Sequence, residues 1–122
     1  MKLNLAAAGV RNLFTAYGEG YVVVNRTRHQ ASLIVLPDAP IEPWPPRAVE
    51  ELSEAHLAPI LAHAPEIILL GTGAKLQFPA REIRVALANL GIGVEIMDTF
   101  AACRTYNILA GEGRKVAAAL LV

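Results

Sequence analysis

"EIILLGTGAKLQFPAREIRVALANLGIGVEIM", residues 66–97, decides the fold. EIILLG (66–71) is an apolar run ending in glycine, the mark of a buried strand, and residues 78–91 place Ile83, Leu87 and Leu90 at i, i+4 and i+7. That spacing predicts an amphipathic helix. Pro79 falls in its first turn, where a missing N–H costs nothing, and Gly91 falls where a helix stops. GVEIM (93–97) is the next strand. A strand, a helix and a strand joined so closely need a right-handed crossover, so the two strands are predicted to run parallel.

The pattern continues toward the C-terminus. Asp98 or Thr99 offers an N-cap oxygen for a helix over 99–112, Gly113 stops it, and KVAAALLV (115–122) is a last apolar strand. The result is a β-α-β-α-β unit with the carboxyl ends of its strands at one edge. Toward the N-terminus the signals change. From Leu13 to Leu36 the residues are β-branched and aromatic, punctuated by YGEGY (17–21) and NRT (25–27), which predicts short antiparallel strands joined by tight turns. LPDAPIEPWPPR (36–47) has five prolines in twelve residues, so neither a helix nor a central strand can run through it. Residues 47–63 have helical composition interrupted at Pro59, which predicts one kinked helix or two short ones.

At 122 residues the chain is expected to form one domain, 1–122, on an α/β plan with a mixed sheet. Hydrophobic residues make up 54% and charged residues 18%, against about 45–50% and about 25% in a typical soluble domain. That surplus suits helices on both faces of a sheet, or a subunit interface. With 11 basic and 11 acidic residues the formal charge is zero, so the basic footprint of a nucleic-acid binder is missing. No run approaches the ~20 apolar residues of a membrane span. A single cysteine, Cys103, excludes an internal disulfide and a cysteine-cluster metal site. His56 and His63 are seven apart across Pro59, which is not the spacing of a helical metal pair, so no metal and no cofactor is expected. The N-terminal MKLNLAAAGVR imitates a signal peptide only faintly, its apolar stretch being short and broken by Asn4, and a cytoplasmic protein is expected.

Two loops leave the carboxyl ends of the parallel strands, the usual ligand position in an open α/β sheet. In the first, Gly71, Thr72 and Gly73 could present backbone N–H groups to an anion, with Lys75 adding charge. It matches neither a dinucleotide fingerprint nor a phosphate loop. The second is the helix start at Asp98 and Thr99. Together they form a candidate pocket for a small anion, or for an enzyme's substrate, set against the plainer reading of a tight turn. Advancing 100° per residue, the helix turns Ala101, Ala102, Thr105, Ile108 and Leu109 one way and Phe100, Arg104 and Asn107 the other, with Cys103 on the border. The second stripe is a candidate partner surface, or a solvated face. Cys103 reads as a small buried hydrophobe rather than a nucleophile, because no phosphatase-type loop surrounds it. Glu95 alternates with Val94 and Ile96 in a strand expected to be covered on both faces, so it needs a partner or a solvent-facing gap, whether paired with an Arg or Lys or set in a pocket as an acid or base. No catalytic residue is assigned.

LLGTG (69–73), FP (78–79), GIGVEIMDTFAACRTYNIL (91–109) and EGRKVAAALL (112–121), together with SLIVLPD (32–38) and PWPP (43–46), resemble the Mth938-like domain family. That family is a domain of unknown function that includes the mitochondrial complex I assembly factor 3 proteins. The resemblance implies a three-layer α/β fold on a mixed sheet and a role in binding or assembly with a protein partner. It brings no established catalytic residues. The chain departs from the mitochondrial members in having no basic, amphipathic N-terminal extension, which leaves the complex I role open. The expectation is a non-enzymatic binding or assembly module, its surface combining the Pro-rich loop with Phe100, Arg104 and Asn107. Self-association, as a dimer, is expected because the apolar strand at 115–122 must be covered on both faces and at its edge.

Overall fold

The computed structural model describes residues 10–122. The signal-like run at the N-terminus lies, but for its last two residues, outside them. Strands β1 (Phe14–Gly18), β2 (Tyr21–Val24) and β3 (Thr27–His29) form a small antiparallel sheet in that order. Its turns follow the glycine and asparagine signals: Gly20 has φ +75 and Asn25 φ +57, conformations those residues adopt most readily. A second sheet has the order β5-β4-β8-β6-β7, with β4 at Leu33–Val35, β5 at Glu42–Pro43, β6 at Ile67–Gly71, β7 at Gly93–Met97 and β8 at Val116–Leu120. β6 pairs parallel with β7 and with β8, while β4 pairs antiparallel with β8 and β5. The mixed sheet and the parallel β-α-β-α-β unit are thus as the sequence predicts.

Helices α2 (Arg81–Ala88) and α3 (Thr99–Gly111) cross between the parallel strands on opposite faces of the large sheet. One apolar core gathers α3 and the small sheet against one face, through Phe14, Tyr17, Val22, Leu69, Tyr106 and Leu120. The other gathers α2 and the Pro-rich segment, through Trp44, Ile60, Ile68, Ile83 and Leu87. Three layers result.

Four expectations need correction. Residues 47–63 form two 3-10 turns, Val49–Glu51 and Glu54–Leu57, leading into a one-turn helix α1 (Ala58–Leu61). Pro59 kinks nothing there; it sits in the first turn of α1, where its lost N–H is free. The last strand, β8, has no edge for a second subunit to cover, because β4 and β6 flank it and all of its residues are buried. The edges of the large sheet are β5 and β7. β7 is not covered on both faces: it is an edge strand whose Val94 and Ile96 face the α2 core, while Glu95 on its other side is exposed, in the solvent-facing gap that is one of its two expected settings. Finally, α3 buries Thr99, Ala102, Cys103, Tyr106 and Ala110, and leaves Ile108 62% exposed. The buried stripe is rotated from the apolar count because Tyr106 belongs to the core.

A close approach in this frame is at Gly71, where β6 ends against the start of α3. A Cβ there would stand 2.7 Å from Leu120 Cδ2 and 3.1 Å from the Thr99 Cα. Since backbone is one of the two obstacles, Gly71→Ala is expected to destabilise the protein by about 1–3 kcal/mol. Urea denaturation against wild type measures it.

Candidate functional site

The loops expected to form an anion pocket do lie side by side at the carboxyl ends of β6 and β7, and they are bonded to each other. Gly73 N donates to Thr99 Oγ1 at 2.8 Å, Thr99 N donates to Gly73 O at 2.9 Å, and Thr72 N donates to Met97 O at 2.9 Å. Thr99 Oγ1 in turn donates to Leu121 O at 2.6 Å, so this one buried hydroxyl ties the ends of β6, α3 and β8 together. The Asp98 carboxylate caps α3 by accepting from Ala101 N at 2.9 Å. Thr72 Oγ1 donates to Lys75 O and accepts from Gln77 N, closing the turn before α2. Beside these groups lies a cleft of about 50 Å³, lined by Gly18, Tyr21, Gly73, Thr99 and Phe100 among others. The amides of Thr72, Gly73 and Thr99 thus already have protein acceptors.

The outer stripe of α3 has a similar fate. Asn107 accepts from Phe14 N at 2.9 Å and donates to Phe14 O at 2.7 Å, standing in for a neighbouring strand on the open edge of β1. Phe100 stacks on Tyr17 with ring centroids 4.5 Å apart, and Arg104 Nη1 donates to the Tyr17 hydroxyl at 2.6 Å. Tyr106, one turn along, packs edge-on against Phe14 and donates to Asn12 O at 2.8 Å. The polar cluster DTFAACRTYN therefore fastens α3 to the small sheet and to the loop ends.

Cys103 is buried within the same seam. Burial pushes its thiol up to about 12, against the opposing pull of the Arg104 guanidinium. Burial also raises the Tyr106 phenol, and the negative charge of Asp38 raises it further. A thiol so protonated is a poor nucleophile at neutral pH.

Sequence reasoning missed a larger concavity at the opposite ends of the parallel strands. It encloses about 660 Å³ and is lined by Val10, Leu36, Pro37, Ala39 and Ala110, with Asp38, His63, Arg114 and Lys115 around it. Asn12 braces the 36–39 segment that lines it, donating to Leu36 O at 2.8 Å and Ala39 O at 2.6 Å. His63 Nε2 meets Glu42 Oε1 at 2.5 Å, and Arg114 leans on Glu66 at 3.7 Å. No short motif marks this site, because its walls come from four separate segments. Among the described residues, no group of His, Cys, Asp or Glu could hold a metal ion.

This architecture is that of an Mth938-like domain. It is similar to a Bordetella pertussis protein whose solution structure is described as such a domain, with 35% identity, a TM-score of 0.80, and 99% of this chain and 92% of that one covered. The family model for proteins of unknown function DUF498/DUF598 matches residues 14–121, and the chain belongs to that family. It is 41% identical over 73 residues to a "13 kDa major membrane protein" of Francisella tularensis, covering 60% of this chain and 59% of that protein. It is 31% identical over 108 residues to the bovine NADH dehydrogenase [ubiquinone] 1 alpha subcomplex assembly factor 3, covering 87% of this chain and 58% of that protein. The chain thus spans less than two thirds of the length of either relative. Among the described residues, no helix is long and apolar enough to cross a membrane.

Two predictions follow from the geometry. Thr99→Val keeps the shape but leaves Gly73 N and Leu121 O without partners, and is expected to cost about 2–3 kcal/mol, whereas Thr99→Ser is expected to cost under about 1. Urea melts of the two variants separate the hydroxyl from the methyl. Because the folded thiol ionises only near 12 and the unfolded thiol near 9.0, the Cys103 contribution is intact below pH 9 and is lost as pH rises toward 12. The slope is about 1.4 kcal/mol per pH unit, and Cys103→Ala should flatten it in denaturation curves taken at pH 8 and pH 10.5.

Proposed function

We propose that the chain is a protein-binding module of the assembly-factor kind, acting without chemistry of its own. The observation that carries this reading is the exposed apolar surface around the loop leaving β6: Leu76 is 52% and Phe78 63% exposed, with Val85 of α2 46% exposed. Large apolar side chains left in water beside one another in sequence are a cost that a partner removes. The kinship with the assembly factors supports the same reading. The stripe Phe100, Arg104 and Asn107 is a weaker candidate for this surface, because its side chains are engaged with Phe14 and Tyr17. Self-association into a dimer and a cytoplasmic site of action belong to the proposal. The edge of β7 is the place for the former, in place of β8.

A photo-crosslinking residue at position 78 tests the surface in living cells. A discrete crosslinked protein from position 78, absent when the probe replaces Glu50, is expected; equal or absent crosslinking at both positions counts against it. Light scattering of the purified chain is expected to give twice the single-chain mass. Cell fractionation is expected to recover the protein with the soluble fraction, and recovery with membranes would overturn the cytoplasmic assignment.

A further inference from the structure

The cavity of about 660 Å³ lies within the range of sites that enclose small organic ligands, about 300–1,000 Å³. Its composition narrows the ligand. Buried Leu36, Pro37 and Ala110, with half-buried Val10 and Ala39, make the apolar part of its lining. Four ionisable residues share the lining, and two of them are committed: His63 to Glu42, and Arg114 to Glu66. The other two are Asp38 and Lys115, on opposite segments. Among the described residues neither side chain makes an ion pair or hydrogen bond, with each other or with anything else.

The Asp38 charge also bears on the cavity side of the molecule, since it is felt at Tyr106, buried one turn before Ala110. The segment carrying Asp38 is pinned by Asn12 at Leu36 O, Pro37 O and Ala39 O. The segment carrying Lys115 is fixed by Arg114 N on Leu109 O and by Lys115 N on Glu66 Oε1. Both open charges therefore stand on braced backbone. Gly111 and Gly113 complete the wall without side chains, and a Cβ at Gly113 would meet nothing within 4 Å, so the mouth beside Lys115 is unobstructed.

One negative and one positive group, neither of them ion-paired, line the same cavity as apolar Leu36, Pro37 and Ala110, and together they are complementary to a ligand that carries both charges. We propose that this cavity binds a small zwitterion of the amino-acid class, its ammonium on Asp38, its carboxylate on Lys115 and its hydrocarbon on Leu36 and Ala110. A simple anion or cation satisfies only one of the two groups. The proposal does not depend on the partner surface at Phe78, which lies on the loop at the other ends of the parallel strands.

The test is an amide-shift titration of the isotopically labelled full chain with L-phenylalanine and with 6-aminohexanoate, which offer a short and a long charge separation. Phenylpropionate and phenethylamine, carrying one charge each, are the controls. At least one zwitterion is expected to move the amides of Ala39, Gly111, Gly113 and Lys115 with a Kd of about 1 mM or tighter, and both controls are expected to bind at least about tenfold more weakly. Asp38→Asn and Lys115→Gln, both at exposed positions, should each weaken binding about tenfold while leaving the remaining spectrum unchanged. Unmoved amides with both zwitterions at about 20 mM overturn the proposal. So does binding that the controls match or that neither variant weakens.

Discussion

Helix α3 has to satisfy two surfaces at once, and the rest of the molecule is arranged around that demand. Its inner side lies on β6 and β8, and its flank holds the small sheet. β8 turns one alanine, Ala118, toward α3 between Val116 and Leu120 and two, Ala117 and Ala119, toward the α2 face, and Gly71 at the adjacent strand end lets the start of α3 come close. The flank uses a different chemistry. Asn107 takes both backbone groups of Phe14, Tyr106 reaches Asn12, and Arg104 with Phe100 holds Tyr17. Apolar packing fixes how near α3 lies, and these directed bonds fix how the small sheet is oriented on it.

The parallel unit was legible in the sequence because its strands and helices carry strong periodic signals and end at glycines that serve as stops. Gly91 and Gly113, at φ +73 and +80, follow α2 and α3 as expected. What was not legible was the use of polar residues inside. Asn107 read as part of an outer stripe and Tyr106 as part of neither face, but a phenol or an amide is stable at a buried seam once a backbone partner is supplied, and that partner lies more than ninety residues away in the chain. The edge position of β7 was equally hidden. Strand order depends on which side of β6 each crossover falls, and local pattern carries no record of it, so β7 read as a strand covered on both faces.

The candidate loops show the same division. Their neighbourhood at one end of the sheet follows from strand direction alone, and it holds. Whether their amides remain open to a ligand depends on bonds made at close quarters: the Thr99 and Thr72 hydroxyls take the amides of Gly73 and Gln77, and the carbonyls of Met97 and Gly73 take those of Thr72 and Thr99. The cavity near Asp38 and Lys115 was beyond reach because the residues around it come from positions 10, 36–39, 63 and 110–115. No segment of the chain announces such a meeting.

The two ends of the large sheet are not equivalent. At one end β5 is two residues long and contains Pro43, which has no N–H to offer another strand. At the other, β7 runs for five residues with one edge paired to β6. A sheet closed at one end and open at the other cannot be chained head to tail, because no second open end exists to receive the next copy. Joined through β7, two copies meet across a two-fold axis and the joint consumes the open edge of each, so growth of the large sheet stops at a pair.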